Sequence, residues 1–99
     1  MLAHAQGPEA DAAFARLRQY VREAGRDPKD VGLEVWVSTA DGSPDDWRRA
    51  LSGWKASGVT HVTLNSTYAR GPHKRIAGRT MADHMTAMRD YMAAVKDLV

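Results

Sequence analysis

The chain contains no cysteine, which excludes a disulfide framework, a thiolate metal site and a thiol nucleophile and fits a reducing compartment. No apolar run approaches the roughly 18 residues needed to span a bilayer. The opening Met1-Leu2-Ala3-His4-Ala5-Gln6-Gly7 has neither the basic cluster nor the apolar stretch of a secretory signal. A soluble, cytoplasmic protein is expected. Neither sign of charge dominates: 14 basic against 12 acidic residues leave a net charge of +2, too little to imply a nucleic-acid partner. There is no glycine-rich phosphate fingerprint, no His-x-x-x-His pair, no internal repeat beyond a helix–strand alternation and no low-complexity tract.

What is present is one ordinary globular domain, residues 1–99, with an apolar share of 43% and a charged share of 26%. Phe14, Leu17 and Val21 recur at intervals of three and four, with Ala10, Ala13 and Ala24 in the same stripe, which predicts a helix over 9–24. Gly25 stops it and Asp27-Pro28 prevents its resumption. In Leu33-Glu34-Val35-Trp36-Val37-Ser38 apolar residues alternate with others, the period of a strand. Asp41-Gly42 signals a turn. Ser43 then caps a helix with Pro44 at its first position and Asp46 three residues after the cap, and Trp47, Ala50, Leu51 and Trp54 share one face before Gly58. Val59–Leu64 reads as a second strand. After a polar loop, Thr80 with Asp83 caps a last helix whose stripe is Met81, Met85, Met88, Met92 and Val95.

The fold class is therefore α/β, in the order helix–strand–helix–strand–helix. Two strands joined by one helix should be parallel. Leu33, Val35, Val37, Val62 and Leu64 have the character to meet the helices. Glu34, Trp36, Ser38, His61, Thr63 and Asn65 should then point away from them. With every helix on one side, that second face is expected to be bare, and a two-stranded sheet with open edges is a poor stand-alone fold.

Ala24-Gly25-Arg26-Asp27-Pro28 after a helix, then Trp54 with Gly58-Val59-Thr60-His61-Val62-Thr63-Leu64-Asn65 and a closing helix, resembles the C-terminal end of the luciferase-like superfamily of flavin- and deazaflavin-dependent oxidoreductases and monooxygenases. The similarity runs over residues 9–99. It implies that the two strands are the seventh and eighth of a (β/α)8 barrel, a fold of roughly 250 residues. Flavin mononucleotide or a deazaflavin is the implied cofactor, and the chain alone is expected to bind none and to lack a complete active site. A separate chain supplying the rest of the barrel is one implied partner. The resemblance carries no catalytic residue onto a numbered position.

Loops after the last strands of such barrels often hold phosphate. Two segments lie there: Ser38–Ser43, leading to a helix start, and Asn65-Ser66-Thr67-Tyr68-Ala69-Arg70, leading into a stretch with Arg70, Lys74, Arg75 and Arg79 and no acid among them. Asn65, Ser66, Thr67, Arg70, Lys74 and Arg75 are the candidate anion-binding residues, against the plainer reading of a solvated connecting loop. A nucleic-acid surface on the same cations lacks interleaved aromatics beyond Tyr68. His61, His73 and His84 have no metal-ligand spacing, so no metal is expected. Trp47 and Trp54 read as core anchors. The methionine stripe is read as core, with an adaptable binding surface as the alternative. Trp36 and His61, on the bare face, are the candidate interface of a homo-oligomer, expected to be a dimer, and a small non-enzymatic interaction module is the alternative function.

Overall fold

The computed structural model describes residues 5–40 and 42–99. Met1-Leu2-Ala3-His4 and the Asp41 of the expected turn lie outside the described residues. The order is α1 (Pro8–Glu23), a single 3-10 turn (Pro28–Asp30), β1 (Glu34–Val37), α2 (Pro44–Ala56), β2 (His61–Leu64) and α3 (Met81–Val95). Among the described residues the sheet has two strands, paired in parallel with Glu34 opposite His61 and Val37 opposite Leu64. The fold is thus mixed α/β with a parallel pair, as expected, and none of the described helices is long and apolar enough to cross a membrane.

Local chemistry sets the boundaries. Pro8 starts α1, where a missing N–H costs nothing. At its end Gly25 takes a left-handed φ of 79°, so that its own N–H reaches the Arg22 carbonyl and the Arg26 N–H reaches Val21. That is a Schellman closure, which satisfies two carbonyls the helix would otherwise leave open. Gly58, φ 90°, closes α2 in the same way, with its N–H on Lys55 and the Val59 N–H on Trp54. Ser43 with Asp46 and Thr80 with Asp83 form reciprocal capping boxes at the starts of α2 and α3. The turn at Pro28–Asp30 was not expected from the sequence. Asp27 makes it, its carboxylate accepting the Lys29 N–H at 2.9 Å.

Both strands are shorter than their apolar runs, and at their start Leu33 and Thr60 bond in a pattern that departs from the regular ladder. The Leu33 carbonyl accepts from the N–H groups of Thr60 and His61, and the Leu33 N–H donates to Thr60 Oγ1 at 2.8 Å. One face of the pair meets the helices. Ala10, Phe14, Leu33, Val35 and Trp54 form one buried cluster, which Val37, Val59 and Val62 extend. Leu51, Tyr91 and Val95 form a second, joined by Trp47, Leu64, Ala94 and Leu98. The Phe14 and Trp54 rings meet edge to face with centroids 6.2 Å apart, so the tryptophan expected to anchor α2 does so.

Three expectations about packing need correction. The methionines of the α3 stripe are not core: Met81, Met85, Met88 and Met92 are all exposed, only its last member Val95 is buried, and the helix packs through Tyr91, Ala94 and Val95 instead. The alanines and Tyr91 form a second apolar stripe on the same helix, and it is this one that α2 and its Trp47 reach. In α1 the expected stripe is buried only at its start, at Ala10 and Phe14, while Leu17 is 39% exposed and Ala24 is exposed; Leu17 and Val21 wall an open cavity of about 510 Å³ with Val31, Leu33 and Thr60. The far face of the sheet, finally, is not wholly bare. Trp36 is half-buried, stacked on Tyr68 with centroids 6.1 Å apart and met edge-on by His73 at 5.8 Å. The loop after β2 folds back across it.

Candidate functional site

The carboxyl ends of β1 and β2 emerge side by side, and the loop from Asn65 to Arg79 closes over them. Asn65 is the pivot. Its side chain is buried at 6% exposure, Oδ1 accepting the N–H groups of Thr67 at 3.3 Å and Tyr68 at 3.0 Å while Nδ2 donates to the Tyr68 carbonyl at 2.7 Å. A buried amide that must satisfy both its ends locally forces the chain to turn here. Arg70 and His73 then pair backbone to backbone at 3.0 and 3.1 Å around Gly71, whose φ of 58° the turn requires.

Two longer-range bonds fasten the loop. Ser38 Oγ, just past β1, donates to the Lys74 carbonyl at 2.6 Å and lies 3.2 Å from that of Asn65. Ser66 Oγ lies 2.7 Å from His84 Nδ1 in the first turn of α3, and the Ser66 carbonyl accepts the Ile76 N–H. The Arg75 guanidinium turns back on its own chain, with Nε on the Ile76 carbonyl at 3.2 Å and Nη2 on that of Gly78 at 3.3 Å. A carbonyl-bound guanidinium acts as a brace, and fewer of its donors face outward.

The six candidate anion-binding residues therefore divide. Asn65, Ser66 and Arg75 hold the loop's shape; Thr67, Arg70 and Lys74 are exposed on it. The other candidate, the start of α2, already has its anion. Asp46 receives the Ser43 N–H at 2.8 Å and pairs with Arg49, and these contacts, the Ser43 backbone bond first, hold its carboxyl below the usual range. Asp83 does the same for α3, held low first by the Thr80 N–H. With a carboxylate at each helix start, the partial positive charge there is compensated from within.

A cavity of about 230 Å³ opens at the carboxyl end of β1, where Gln6, Trp36, Ser38, Trp54, His73 and Lys74 are among its walls. From the sequence, Trp36 is assigned to the bare face, Lys74 to the basic loop and His73 to a loop without a ligand role, and Gln6, ahead of α1, carries no signal. His61, the other candidate interface residue, is exposed, with Nδ1 2.7 Å from Thr60 Oγ1. On the same far face Thr63 Oγ1 donates to the exposed Glu34 carboxylate at 2.7 Å. Among the described residues no group of three or more histidine or acidic side chains could hold a metal ion.

No protein-family model, no curated protein and no solved structure matches this chain.

Proposed function

We propose that this chain is a luciferase-like (β/α)8-barrel segment, the seventh and eighth strands with their helices, belonging to a flavin- or deazaflavin-dependent oxidoreductase whose active site needs further strands. The observation that supports this reading most is the placement of every helix on one face of a parallel pair. Parallel strands are ordinarily covered on both faces, by helices on each side of an open sheet or by the rest of a barrel inside its ring of helices. With α1, α2 and α3 on one side, the barrel is the arrangement that covers the other. The loops at the carboxyl ends of β1 and β2, with Thr67, Arg70 and Lys74 exposed, would then lie on the barrel face where chemistry and phosphate binding occur.

On this reading the chain alone holds no flavin, because a pocket built from loops around a whole barrel is not completed by the ends of two strands. No step through a flavin follows from these residues by themselves. The test is to isolate the chain both from its own cells and from a heterologous host, and to read flavin by absorbance and mass spectrometry. The reading expects flavin or deazaflavin only where the chain travels with a polypeptide that supplies more of the barrel. One flavin bound per chain in the heterologous preparation, or no flavin-bearing complex in the native one, would overturn it.

A second reading, a small non-enzymatic homo-oligomeric module, is favoured by a different observation: the exposed methionines of α3.

A further inference from the structure

Met81, Met85, Met88 and Met92 are 81%, 38%, 45% and 51% exposed, so the most apolar helix of the protein shows solvent a continuous stripe of its largest apolar side chains. The stripe lies about 120° round the helix axis from the Tyr91–Ala94 side that packs in the core. His84, bonded to the loop after β2, and Val95, fully buried, lie between the two sides. The methionines therefore face away from α2 and outward to solvent.

We infer that this stripe is a self-association seam, occupied by α3 of a second copy running antiparallel about a two-fold axis. The inference does not rest on the barrel reading. Its first support is the spacing. The methionines follow one another in steps of four, three and four, the alternation that keeps a seam facing a partner helix. That spacing reads the same in both directions. An antiparallel copy centred between Met85 and Met88 sets Met81 opposite Met92 of the second copy and Met85 opposite its Met88, with no methionine left unmatched. A closed two-fold contact needs such self-complementarity.

The register also leaves no carboxylate on the seam. Arg89 comes level with His84 of the second copy and Lys96 with Ala77, while Asp83 and Asp90 lie on the other side of the helix. No acidic side chain is therefore desolvated by the contact.

Area supplies the third support. Each methionine offers on the order of 100 Å² of apolar surface, which gives about 800 Å² across the two copies, and the alanines and aliphatic stems beside the stripe bring the contact to about the 1,000 Å² at which specific interfaces begin. A dimer of modest affinity follows.

The test uses the absence of cysteine. Sedimentation and light scattering of the full chain should find a dimer at concentrations on the order of 10 µM and above, and Met88→Glu should be monomeric with unchanged helical circular dichroism. Single-cysteine variants Met81→Cys and Met92→Cys, mixed under mild oxidation, should cross-link to one another several-fold faster than either does to itself. Three results would overturn the proposal: a monomer throughout this range, a dimer indifferent to Met88→Glu, or self-cross-linking that outpaces the mixed pair. A dimer lost on Tyr68→Asp but kept in Met88→Glu would move the interface to the Trp36 face and overturn it equally. Met88→Lys serves as the second variant should Met88→Glu disturb the helix.

Discussion

Helices α2 and α3 start with the same device and end in different surroundings. Each has a hydroxyl cap bonded to an aspartate three residues on, and each carries an apolar stripe on one face. In α2 that stripe is the one the protein buries: Leu51 and Trp54 are core and Trp47 is half-buried. In α3 the larger side chains face solvent while alanines, Tyr91 and Val95 do the packing. A stripe thus gives direction around one helix axis and says nothing of where neighbouring elements stand. The helix between two strands has its inner face fixed by both of them. The helix after β2 carries two apolar sides, and only the folded chain decides which of them meets α2 and the sheet.

The contrast is largest in the apolar side chains of the two helices. Trp54→Ala removes the ring that Phe14 and the strands pack on, and should destabilise the chain by about 3–5 kcal/mol in urea unfolding. Met85→Ala, on the other hand, should stay within about 0.5 kcal/mol when measured on dilute, monomeric protein. A comparable loss from both would mean that the methionine side of α3 is internal to the chain after all.

The caps should behave alike where the stripes do not. Ser43→Ala and Thr80→Ala should each cost about 1 kcal/mol. They should also change the response to acid. Asp46 and Asp83 are held below the ordinary carboxylate range by the cap bonds, so their contribution is complete above the unfolded value and is lost as pH falls through the lower folded one. Melting curves taken from neutral to acidic pH should show less acid destabilisation in each alanine variant than in the wild type. Equal slopes would separate the aspartates from the caps.

Tyr91 tests the buried side of α3. Its hydroxyl is buried with no hydrogen-bond partner among the described residues, and burial raises its pKa. Tyr91→Phe keeps the contact with Trp47 and removes the unsatisfied oxygen, so it should be neutral or more stable by up to about 1 kcal/mol. A clear loss of stability would show that the hydroxyl finds a partner in solution.

The smallest effect belongs to the loop. Replacing Arg70 and Lys74 together by alanine should weaken a salt-sensitive binding of phosphate or sulfate and leave unfolding unchanged, whereas Arg75→Ala should loosen the loop because its guanidinium holds the carbonyls of Ile76 and Gly78. Titration read by chemical shift checks the first, and hydrogen exchange through residues 65–79 the second. Identical titrations of the double variant and the wild type would retire the anion site.

The elements and the two faces of the sheet were legible in the residues alone. Gly25 and Gly58 supply the left-handed residue each helix end needs, Ser43 and Thr80 stand where a cap must stand, and Leu33, Val35, Val37, Val62 and Leu64 alternate at the period of a strand. These are local facts, settled within a few residues by backbone geometry. Only the folded chain settled which stripe of α3 was buried, that Tyr68 and His73 cover Trp36, and that Asn65, Ser66 and Arg75 brace a loop. Those outcomes rest on bonds such as Ser38 to Lys74, 36 residues apart, and Ser66 to His84, 18 apart. A contact at that separation depends on where whole elements come to lie, and neither spacing nor composition records the position of a neighbour that the chain reaches only after it has folded.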